Sequence, residues 1–404
     1  MQNIALILLG AGESNRFKNY INQTRIPKKQ WLRLGEIPLW LEVAKRLSSA
    51  YPFIDLVLSV DKTEISYVQK YLLSFNLNFK CASGGNTRQE SLQNAIDLLK
   101  DSVEFVFVSD IARCNVSKEF CARILNSAKE ALESKKDSNC HPHCFVPYLN
   151  VFDTIAYLDN SLQYLKRECL KIIQTPQLSN LETLKKAFKL GDFTDESSAI
   201  FQFGGNIEYL IGDENAKKLT LLEDLKDLNL PPPSSKILIG TGSDIHALDK
   251  GSGIVLGGVR IPCEFKLIAH SDGDVCLHAL SDAILGAIGA GDIGEWFPDN
   301  DPVYKGADSA NLLAKIVQFS IDVGYSISQA DITIFAQRPK LAPYKLQMEQ
   351  KIAEILGIPT FKVNVKATTT EKLGFVGKEE GILVQASVAM EYFNWTNLLK
   401  QEGK

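Results

Sequence analysis

Several features that assign a protein to a class of partner are scarce or missing in this chain of 404 residues. No run approaches the roughly 18 consecutive apolar residues of a membrane-spanning helix, and the start runs into a glycine loop rather than a signal-peptide cleavage site. The formal net charge of -4 gives no basic footprint for nucleic acid. We therefore expect a cytoplasmic protein that binds neither membranes nor nucleic acid and uses local basic groups for small anionic ligands.

Cysteine is also sparse. Eight cysteines in so long a chain predict reduced thiols rather than a disulfide framework. One cluster, residues 140–144, packs two cysteines and two histidines into five positions, which is too tight for all four to surround one tetrahedral ion. We interpret it as a polar loop before a strand at residues 145–147.

Length and proline content predict two domains. The chain exceeds what a single core usually supports, and three consecutive prolines at 231–233 favour an extended spacer that no helix can cross. We predict a first domain over residues 1–230, a linker over 231–235 and a second domain over 236–404.

In the first domain, apolar runs alternate with amphipathic stretches. Near-continuous apolar runs at residues 4–9, 54–60 and 105–109 are typical of strands buried on both faces, with crossover helices between them. This predicts an α/β fold with an open, mostly parallel, Rossmann-like sheet whose ligands bind beyond the carboxyl ends of its strands. Residues 151–175 break the pattern and predict a hairpin, either a dimer arm or an ordinary insertion. The second domain mixes strands and helices as a further α/β (α+β) unit.

Three of the five histidines, His246, His270 and His278, form a spaced set with Asp244. Asp244 and His246 project to the same face of a predicted strand, and His278 follows on a predicted helix. A carboxylate and two imidazoles suit an open zinc site with a free fourth position, although spacing alone also allows surface histidines. Asp274 would orient the imidazole of His278.

A glycine loop, Gly10-Ala11-Gly12, follows the first predicted strand. Its amides can approach a phosphate, and Arg16 adds a fixed positive charge. The loop lacks the third glycine and the ribose-binding acid of a dinucleotide fingerprint, which disfavours a nicotinamide oxidoreductase. From the loop alone, a tight turn is the alternative.

Other motifs then join this loop. Pro27-Lys28-Lys29-Gln30, Gly84 to Arg88 with Ser91, Asp110 to Arg113, Thr175-Pro176-Gln177 and Lys218-Leu219-Thr220 follow in order. Over roughly residues 2–228 the chain resembles the 2-C-methyl-D-erythritol 4-phosphate cytidylyltransferases, which have a nucleotidyltransferase-type sheet. They couple CTP to methylerythritol phosphate and release pyrophosphate, a transfer that needs positioned cations more than covalent help.

This resemblance implies a role for each matched residue. Arg16 and Lys29 would stabilise the transition state, while Arg167 and Lys218 would position the sugar phosphate. Because Lys28 precedes Lys29 where the family has a single lysine, either could be the catalytic one. A magnesium ion would accompany the triphosphate. The implied substrate-binding residues are Gly10, Ala11, Gly12, Gly85, Ser91, Asp110, Arg113 and Thr175.

The second domain carries a denser set of motifs. They are Gly240-x-Gly242-x-Asp244-x-His246, Ala269 to Asp274 with His278, Gly291 to Gly294, Phe297 to Asp301 and Lys366 to Lys372. Residues 240–389 resemble the 2-C-methyl-D-erythritol 2,4-cyclodiphosphate synthases, which join a substrate's 2-phosphate to the β-phosphate of its own cytidine diphosphate and release CMP. Two anionic groups must meet there, so a Lewis acid is a natural requirement.

The second resemblance implies zinc on Asp244, His246 and His278 and magnesium on Glu371. His270 and Thr369 would stabilise the transition state. The implied cytosine pocket is Ala336, Pro339, Lys340, Leu341 and Ala342. The erythritol portion would be bordered by Asp292, Gly294, Phe297, Asp299 and Asp301. The remaining implied substrate contacts are Asp244, His246, His270, Ser271, Thr368, Thr369, Glu371, Phe375 and Lys378.

The resemblances also imply a homo-oligomer. Cyclodiphosphate synthases form trimers with the site between subunits, which would place Lys340 and Thr369 opposite the zinc ligands of another chain. The cytidylyltransferases form dimers, so the fused chain is expected to form a hexamer.

Together these motifs predict a bifunctional enzyme of the methylerythritol phosphate route to isoprenoid precursors. Its substrates would be CTP, methylerythritol phosphate and CDP-methylerythritol 2-phosphate. The two steps are not consecutive, because a kinase acts between them. The alternative is a cyclodiphosphate synthase whose first domain has become a nucleotide-sensing or scaffolding module, as departures from the family at Ile111, Cys114 and Asn215 suggest.

Overall fold

The computed structural model describes residues 3–21, 25–134, 141–159, 161–269, 271–298, 300–304 and 306–401. The chain divides into two compact units. The first comprises Met1–Gln23, Lys28–Pro231 and Thr396–Lys404, and the second comprises Thr24–Pro27 and Pro232–Trp395. The two units divide between Pro231 and Pro232, in the segment 231–235 that was predicted to be a linker. The predicted bounds of the domains stay a prediction. No described helix is long and apolar enough to cross a membrane.

The elements of the first unit follow one another in an alternating order. They are β1 (Ile4–Leu9), α1 (Asn15–Ile21), β2 (Arg33–Leu34), β3 (Ile37–Pro38), α2 (Leu39–Ser48), β4 (Asp55–Val60), α3 (Ile65–Ser74), β5 (Lys80–Ser83), α4 (Arg88–Ile96), β6 (Phe105–Asp110), α5 (Lys118–Ser134), β7 (Cys144–Asn150), β8 (Ile155–Leu158), β9 (Leu162–Leu165), β10 (Lys171–Ile173), β11 (Gln177–Asn180), α6 (Leu181–Ala187), α7 (Glu196–Gln202), β12 (Ile207–Ile211) and α8 (Asp224–Asp227).

Among the described residues, eight of these strands form one sheet in the order β10-β7-β11-β6-β1-β4-β5, with β12 also paired to β7. The strands β6, β1, β4 and β5 are parallel, whereas β11 runs antiparallel to β6. Leu6 and Ile7 on β1 are both fully buried although they face opposite sides of the sheet. The largely parallel sheet confirms the predicted fold class and places the carboxyl ends of β1, β4, β5 and β6 along one edge.

The predicted hairpin is present as β8 and β9, which pair antiparallel from Ile155 opposite Leu165 to Leu158 opposite Leu162. Its apolar side chains lie in water: Leu158 is 76% exposed and Tyr164 is 71% exposed. A cluster of exposed apolar side chains on a projecting hairpin is typical of a protein–protein contact.

The second unit contains a separate set of elements. They are β13 (Ile237–Lys250), β14 (Ile254–Leu256), β15 (Val259–Ile261), β16 (Phe265–Ile268), α9 (Val275–Ile288), α10 (Ile293–Trp296), α11 (Ser309–Asp322), β17 (Tyr325–Phe335), α12 (Lys345–Leu356), β18 (Val363–Thr368), α13 (Gly374–Gly377) and β19 (Gly381–Tyr392), followed by α14 (Thr396–Gln401), which belongs to the first unit.

The main sheet of the second unit has the order β16-β13-β19-β17-β18. All neighbours are antiparallel except β17 and β18. The even-numbered residues of β19 from Ile382 to Met390 are buried, whereas Ile239 on β13 is 74% exposed. One face of the sheet therefore packs on helices and the other presents apolar side chains to solvent. A turn at Gly257 and Gly258, both with positive φ, separates β14 from β15, and these two strands pair antiparallel.

Helix α9 lies unusually close to β13, and two glycines allow it. A Cβ on Gly240 would lie 1.9 Å from the carbonyl oxygen of Ala283, and one on Gly242 would lie 2.2 Å from that of Ala279. Only residues without side chains let the two backbones approach this closely. The contact brings the start of α9 against the strand that carries Asp244 and His246.

We expect Gly240→Ala to destabilise the second unit by about 1–3 kcal/mol, because the added methyl group would push α9 from the sheet. Gly286→Ala, on the same helix, is the matched control, since its Cβ would meet only the Thr241 carbonyl oxygen at 3.8 Å and alanine favours helix. Hydrogen exchange measures the protection of the α9 and β13 amides in both variants. Equal protection in the two variants would contradict the close-packing argument.

Candidate active sites

A pocket of about 710 Å³ lies at the carboxyl edge of the first sheet. Gly84 lets two of its loops touch, because a Cβ there would lie 2.2 Å from the Cβ of Ala11. The predicted residues that line this pocket are Gly10, Ala11, Gly12, Arg16, Lys29, Gly85, Ser91, Asp110 and Lys218. The structure thus brings together the residues of five separate motifs.

Asp110 is the centre of a charged network in this pocket. Its carboxylate accepts from Lys218 Nζ at 2.7 Å and from Arg88 Nε at 3.2 Å, and Arg88 also pairs with the fully buried Glu196 at 3.2 Å. Burial alone would raise the pKa of Asp110, but Arg88 and Lys218 hold it well below its usual range. Sequence reasoning gave Arg88 and Glu196 no role, and their separation of 108 residues offers no local signal.

The two adjacent lysines of the Pro27 loop have different surroundings. Lys29 lines the pocket, and its Nζ donates to the carbonyl oxygen of Leu219 at 2.9 Å. Burial, reinforced by the charge of Lys218, lowers the pKa of Lys29 to about 8. Lys28 is 3% exposed and its Nζ pairs with Glu13, Asp61 and Glu64 instead.

Three predicted residues of the first unit do not line the pocket. Arg113 donates to the carbonyl oxygens of Ala216 at 2.6 Å and Ile173 at 3.3 Å. Thr175 is buried, and its Oγ1 accepts from the Asp110 amide at 3.4 Å. Arg167 follows the β8–β9 hairpin, with a side chain 54% exposed. Arg113 and Thr175 therefore support the pocket wall, while Arg167 lies outside the lining of its own chain's pocket.

In the second unit, the predicted metal ligands converge. Asp244 Oδ2 lies 3.1 Å from His246 Nε2 and 3.1 Å from His278 Nδ1, and the three ligand atoms lie within 4.8 Å of one another. Burial opposes ionisation of Asp244, but hydrogen bonds with the two imidazoles hold its pKa well below the usual range. An anionic carboxylate and two imidazole nitrogens facing one point can bind a divalent metal ion.

The prediction that Asp274 orients the His278 imidazole is wrong. Asp274 is fully buried and caps α9, accepting from the amides of Cys276 and Leu277 at 3.1 Å and from Gly257 and Gly258 in the preceding turn. Its carboxylate is therefore used by four backbone N–H groups, as a helix cap requires.

The imidazole of His278 is held by hydroxyl groups instead. His278 Nε2 lies 2.9 Å from Ser309 Oγ and 3.2 Å from Ser271 Oγ. Ser309 is the first residue of α11, 31 residues further along the chain, so no spacing rule could have found it. These contacts leave Nδ1 turned toward Asp244, which is the arrangement that a metal ligand needs.

A pocket of about 300 Å³ opens beside the metal set. The predicted residues in its lining are Asp244, His246, Ser271, His278, Gly294 and Phe297. Sequence reasoning missed Asp282, although its position four residues after His278 places it on the same helix face. Asp292 and Asp301 instead accept backbone amides of Glu295 and Val303. His270 and Asp299 lie outside the described residues.

Several of the other predicted substrate contacts follow the ends of β17 and β18. The Ala336 amide donates to the carbonyl oxygen of Thr368 at 3.0 Å where β17 and β18 end, and Thr369 Oγ1 donates to Glu371 at 2.9 Å. Three strand spacings separate β13 from β18, which is about 14 Å. The predicted residues absent from the lining of the metal pocket are Ala336, Pro339, Lys340, Leu341, Ala342, Thr368, Thr369, Glu371, Phe375 and Lys378.

Comparisons with known proteins identify the family of each part of the chain. Residues 4–229 match the 2-C-methyl-D-erythritol 4-phosphate cytidylyltransferase family, and residues 237–391 match the YgbB family. The bifunctional enzyme IspD/IspF of Campylobacter fetus subsp. fetus is 48% identical over 400 residues, which is 99% of this chain and 100% of that one. This chain belongs to the bifunctional IspD/IspF family.

More distant members of the IspD/IspF family align with equal completeness. The bifunctional enzyme of Wolinella succinogenes is 45% identical over 397 residues, 98% of each chain. The solved structure of the bifunctional IspDF from Campylobacter jejuni matches with a TM-score of 0.80 at 45% identity, over 98% of this chain and 100% of that chain. The predicted bifunctional enzyme of the methylerythritol phosphate pathway is confirmed, and a first unit that serves only as a scaffold is not favoured.

Lys29 should be detectable by its pKa near 8. At pH 8.5 about three quarters of this amine is neutral, against about 1% of an ordinary lysine. We expect pulse acetylation followed by mass spectrometry to label Lys29 with a midpoint near pH 8. Lys28 is the matched control, because its carboxylate partners outweigh burial and raise its pKa. A labelling midpoint for Lys29 equal to that of exposed lysines would contradict the assigned environment.

Proposed function

We propose that the first unit transfers the cytidylyl group of CTP to 2-C-methyl-D-erythritol 4-phosphate through the residues of the glycine-loop pocket. A phosphate oxygen of the sugar forms a bond to the α-phosphorus as the bond to the pyrophosphate oxygen breaks. The convergence of Arg16, Lys29 and Lys218 around the glycine loop supports this assignment. Positioned cations are what a phosphoryl transfer with dispersed negative charge requires.

Within this proposal Lys29, rather than Lys28, is the catalytic lysine. Lys29 lines the pocket, and an amine with a pKa near 8 becomes fully protonated beside an anionic triphosphate. Lys28 is engaged by carboxylates and points away. The backbone amides of the glycine loop would hold the triphosphate together with a magnesium ion, which supplies charge neutralisation when bound.

Arg167 would act on the pocket of a second copy. It follows the β8–β9 hairpin, whose exposed apolar side chains include Leu158 and Tyr164. Burial of these side chains against a second chain favours a dimer through the hairpin. The same contact carries Arg167 toward the sugar phosphate of the neighbouring pocket.

The second unit, we propose, closes the cyclodiphosphate ring. An oxygen of the 2-phosphate attacks the β-phosphorus of CDP-methylerythritol 2-phosphate, and CMP leaves as its bond to that phosphorus breaks. Asp244 Oδ2, His246 Nε2 and His278 Nδ1 fit a zinc ion, because three donor atoms converge beside an open pocket. Zinc bound there supplies Lewis-acid polarisation of the β-phosphate. Glu371 would hold magnesium, and His270 and Thr369 would donate to the developing charge.

The second site would be completed by two copies of the chain. Thr369 directly follows β18, and β18 lies three strand spacings, about 14 Å, from the strand that carries Asp244 and His246. This separation favours a diphosphate that is bound between residues of two chains. The open sheet face, with Ile237 at 63% exposure and Ile239 at 74%, offers an apolar surface for a trimer. A trimer of second units and a dimer of first units together generate a hexamer. The cytoplasmic location stays a prediction.

The two activities should separate by mutation. His246→Ala removes one of the three metal ligands, so we expect the variant to lose CMP release and its stoichiometric zinc while retaining pyrophosphate release. Lys29→Ala should lower pyrophosphate release by at least 100-fold, within the range that charge-stabilising groups contribute, and spare CMP release and zinc content. Phosphorus NMR measures the two activities of each variant, and metal analysis measures its zinc content. Loss of both activities in either variant would count against two independent sites.

A shared site between copies can be tested by complementation. His246→Ala lacks the metal half and Glu371→Gln lacks the opposite half, so each variant alone should be inactive in CMP release. In a random trimer of both, about a quarter of the sites combine two intact halves. We therefore expect co-expressed variants to regain about a quarter of wild-type CMP release. If light scattering gives the mass of a trimer or hexamer and CMP release does not recover, the whole site lies within one chain.

A further inference from the structure

Lys28 is a buried cation that the proposed chemistry leaves unused. Its side chain is 4% exposed, and its Nζ lies 2.9 Å from Glu13, 3.1 Å from Asp61 and 2.9 Å from Glu64. One ammonium group thus faces three carboxylates. The ammonium group can donate to all three carboxylates, but its single positive charge cannot balance three negative ones, so the cluster is more than a simple ion pair.

The three carboxylates come from two segments, the glycine loop and the connection between β4 and α3. Glu13 belongs to the glycine loop after β1, Asp61 follows β4, and Glu64 precedes α3. Glu64 is 2% exposed and also accepts from the indole N–H of Trp31 at 2.8 Å. Lys28 therefore ties the glycine loop, the end of β4 and the Pro27 loop to one point, directly beside Lys29.

Two of these partners face the nucleotide. Glu13 and Asp61 line the glycine-loop pocket, and the side chain of Glu13 is 53% exposed. Without a counter-cation, both carboxylates would repel a triphosphate in that pocket. Lys28 approaches them from behind, where it cannot compete for the phosphates.

We propose that Lys28 is a positioning residue for CTP binding: it neutralises Glu13 and Asp61 from behind the pocket and holds the glycine loop open to the triphosphate. This inference rests on the proposed cytidylyl transfer. It predicts a defect in the KM for CTP rather than in kcat, because Lys28 touches neither the nucleotide nor the reacting phosphorus.

The test compares Lys28→Met with Lys80→Met in the full-length protein. Lys80 pairs with Asp55 at 2.8 Å, and that carboxylate is 5% exposed, so this control also leaves a carboxylate without its lysine, but away from the pocket. We expect Lys28→Met to raise the KM for CTP about tenfold at low ionic strength, the order of magnitude of one added repulsive charge. The kcat for pyrophosphate release should fall less than threefold, and Lys80→Met should match wild type.

A KM defect caused by unbalanced charge depends on the salt concentration, whereas a defect caused by lost packing does not. The KM defect should shrink at 0.5 M salt by roughly threefold or more, because exposed charges are screened over a few ångströms there. Adding Glu13→Gln to Lys28→Met should restore most of the CTP affinity, and Lys28→Arg should stay within about threefold of wild type. Normal CMP release by the second unit of each variant shows that the variant protein is folded.

A double variant keeps the test possible if Lys28→Met does not fold. Lys28→Met with Glu64→Gln leaves no unpaired charge in the buried position, yet Glu13 and Asp61 remain unneutralised, so the raised KM and its recovery by Glu13→Gln should persist. Wild-type KM for CTP in these variants, or a salt-independent defect that Glu13→Gln does not relieve, overturns the inference. Absence of pyrophosphate release by wild-type protein would instead overturn the proposed function.

Discussion

A buried carboxylate is stable only when it is fully paired, and both sites of this enzyme are organised around that constraint. In the first unit Asp110 is held between Lys218 and Arg88. In the second, Asp274 accepts four backbone amides and Asp244 faces two imidazoles. Each set of partners fixes the backbone that carries the residues of the pockets, so the geometry of the pockets depends on the pairing of these acids as well as on the cations.

Much of this arrangement could be predicted from local patterns in the sequence. The near-continuous apolar run of β1 predicted a strand buried on both faces, and the two-residue spacing of Asp244 and His246 predicted their shared direction. These inferences succeeded because each depends on residues that are neighbours along the chain.

Partners distant in sequence could not be predicted in the same way. Glu196 lies 108 residues from Arg88, and Ser309 lies 31 residues from His278. The role of Asp274 was misassigned because a position four residues before His278 suggests a side-chain contact, whereas the helix start has a stronger demand for a cap. Where buried amides and an imidazole compete for one carboxylate, tertiary structure decides.

The close approach of α9 to β13 has a consequence for how the second unit holds its metal. The metal ligands lie on both sides of that contact, two on the strand and one in the first turns of the helix. Separation of helix from sheet by even a methyl group's width would pull His278 from its partners. Metal affinity and the packing of α9 on the sheet therefore depend on each other. An ion bound to the three ligands would stabilise the contact between the helix and the sheet.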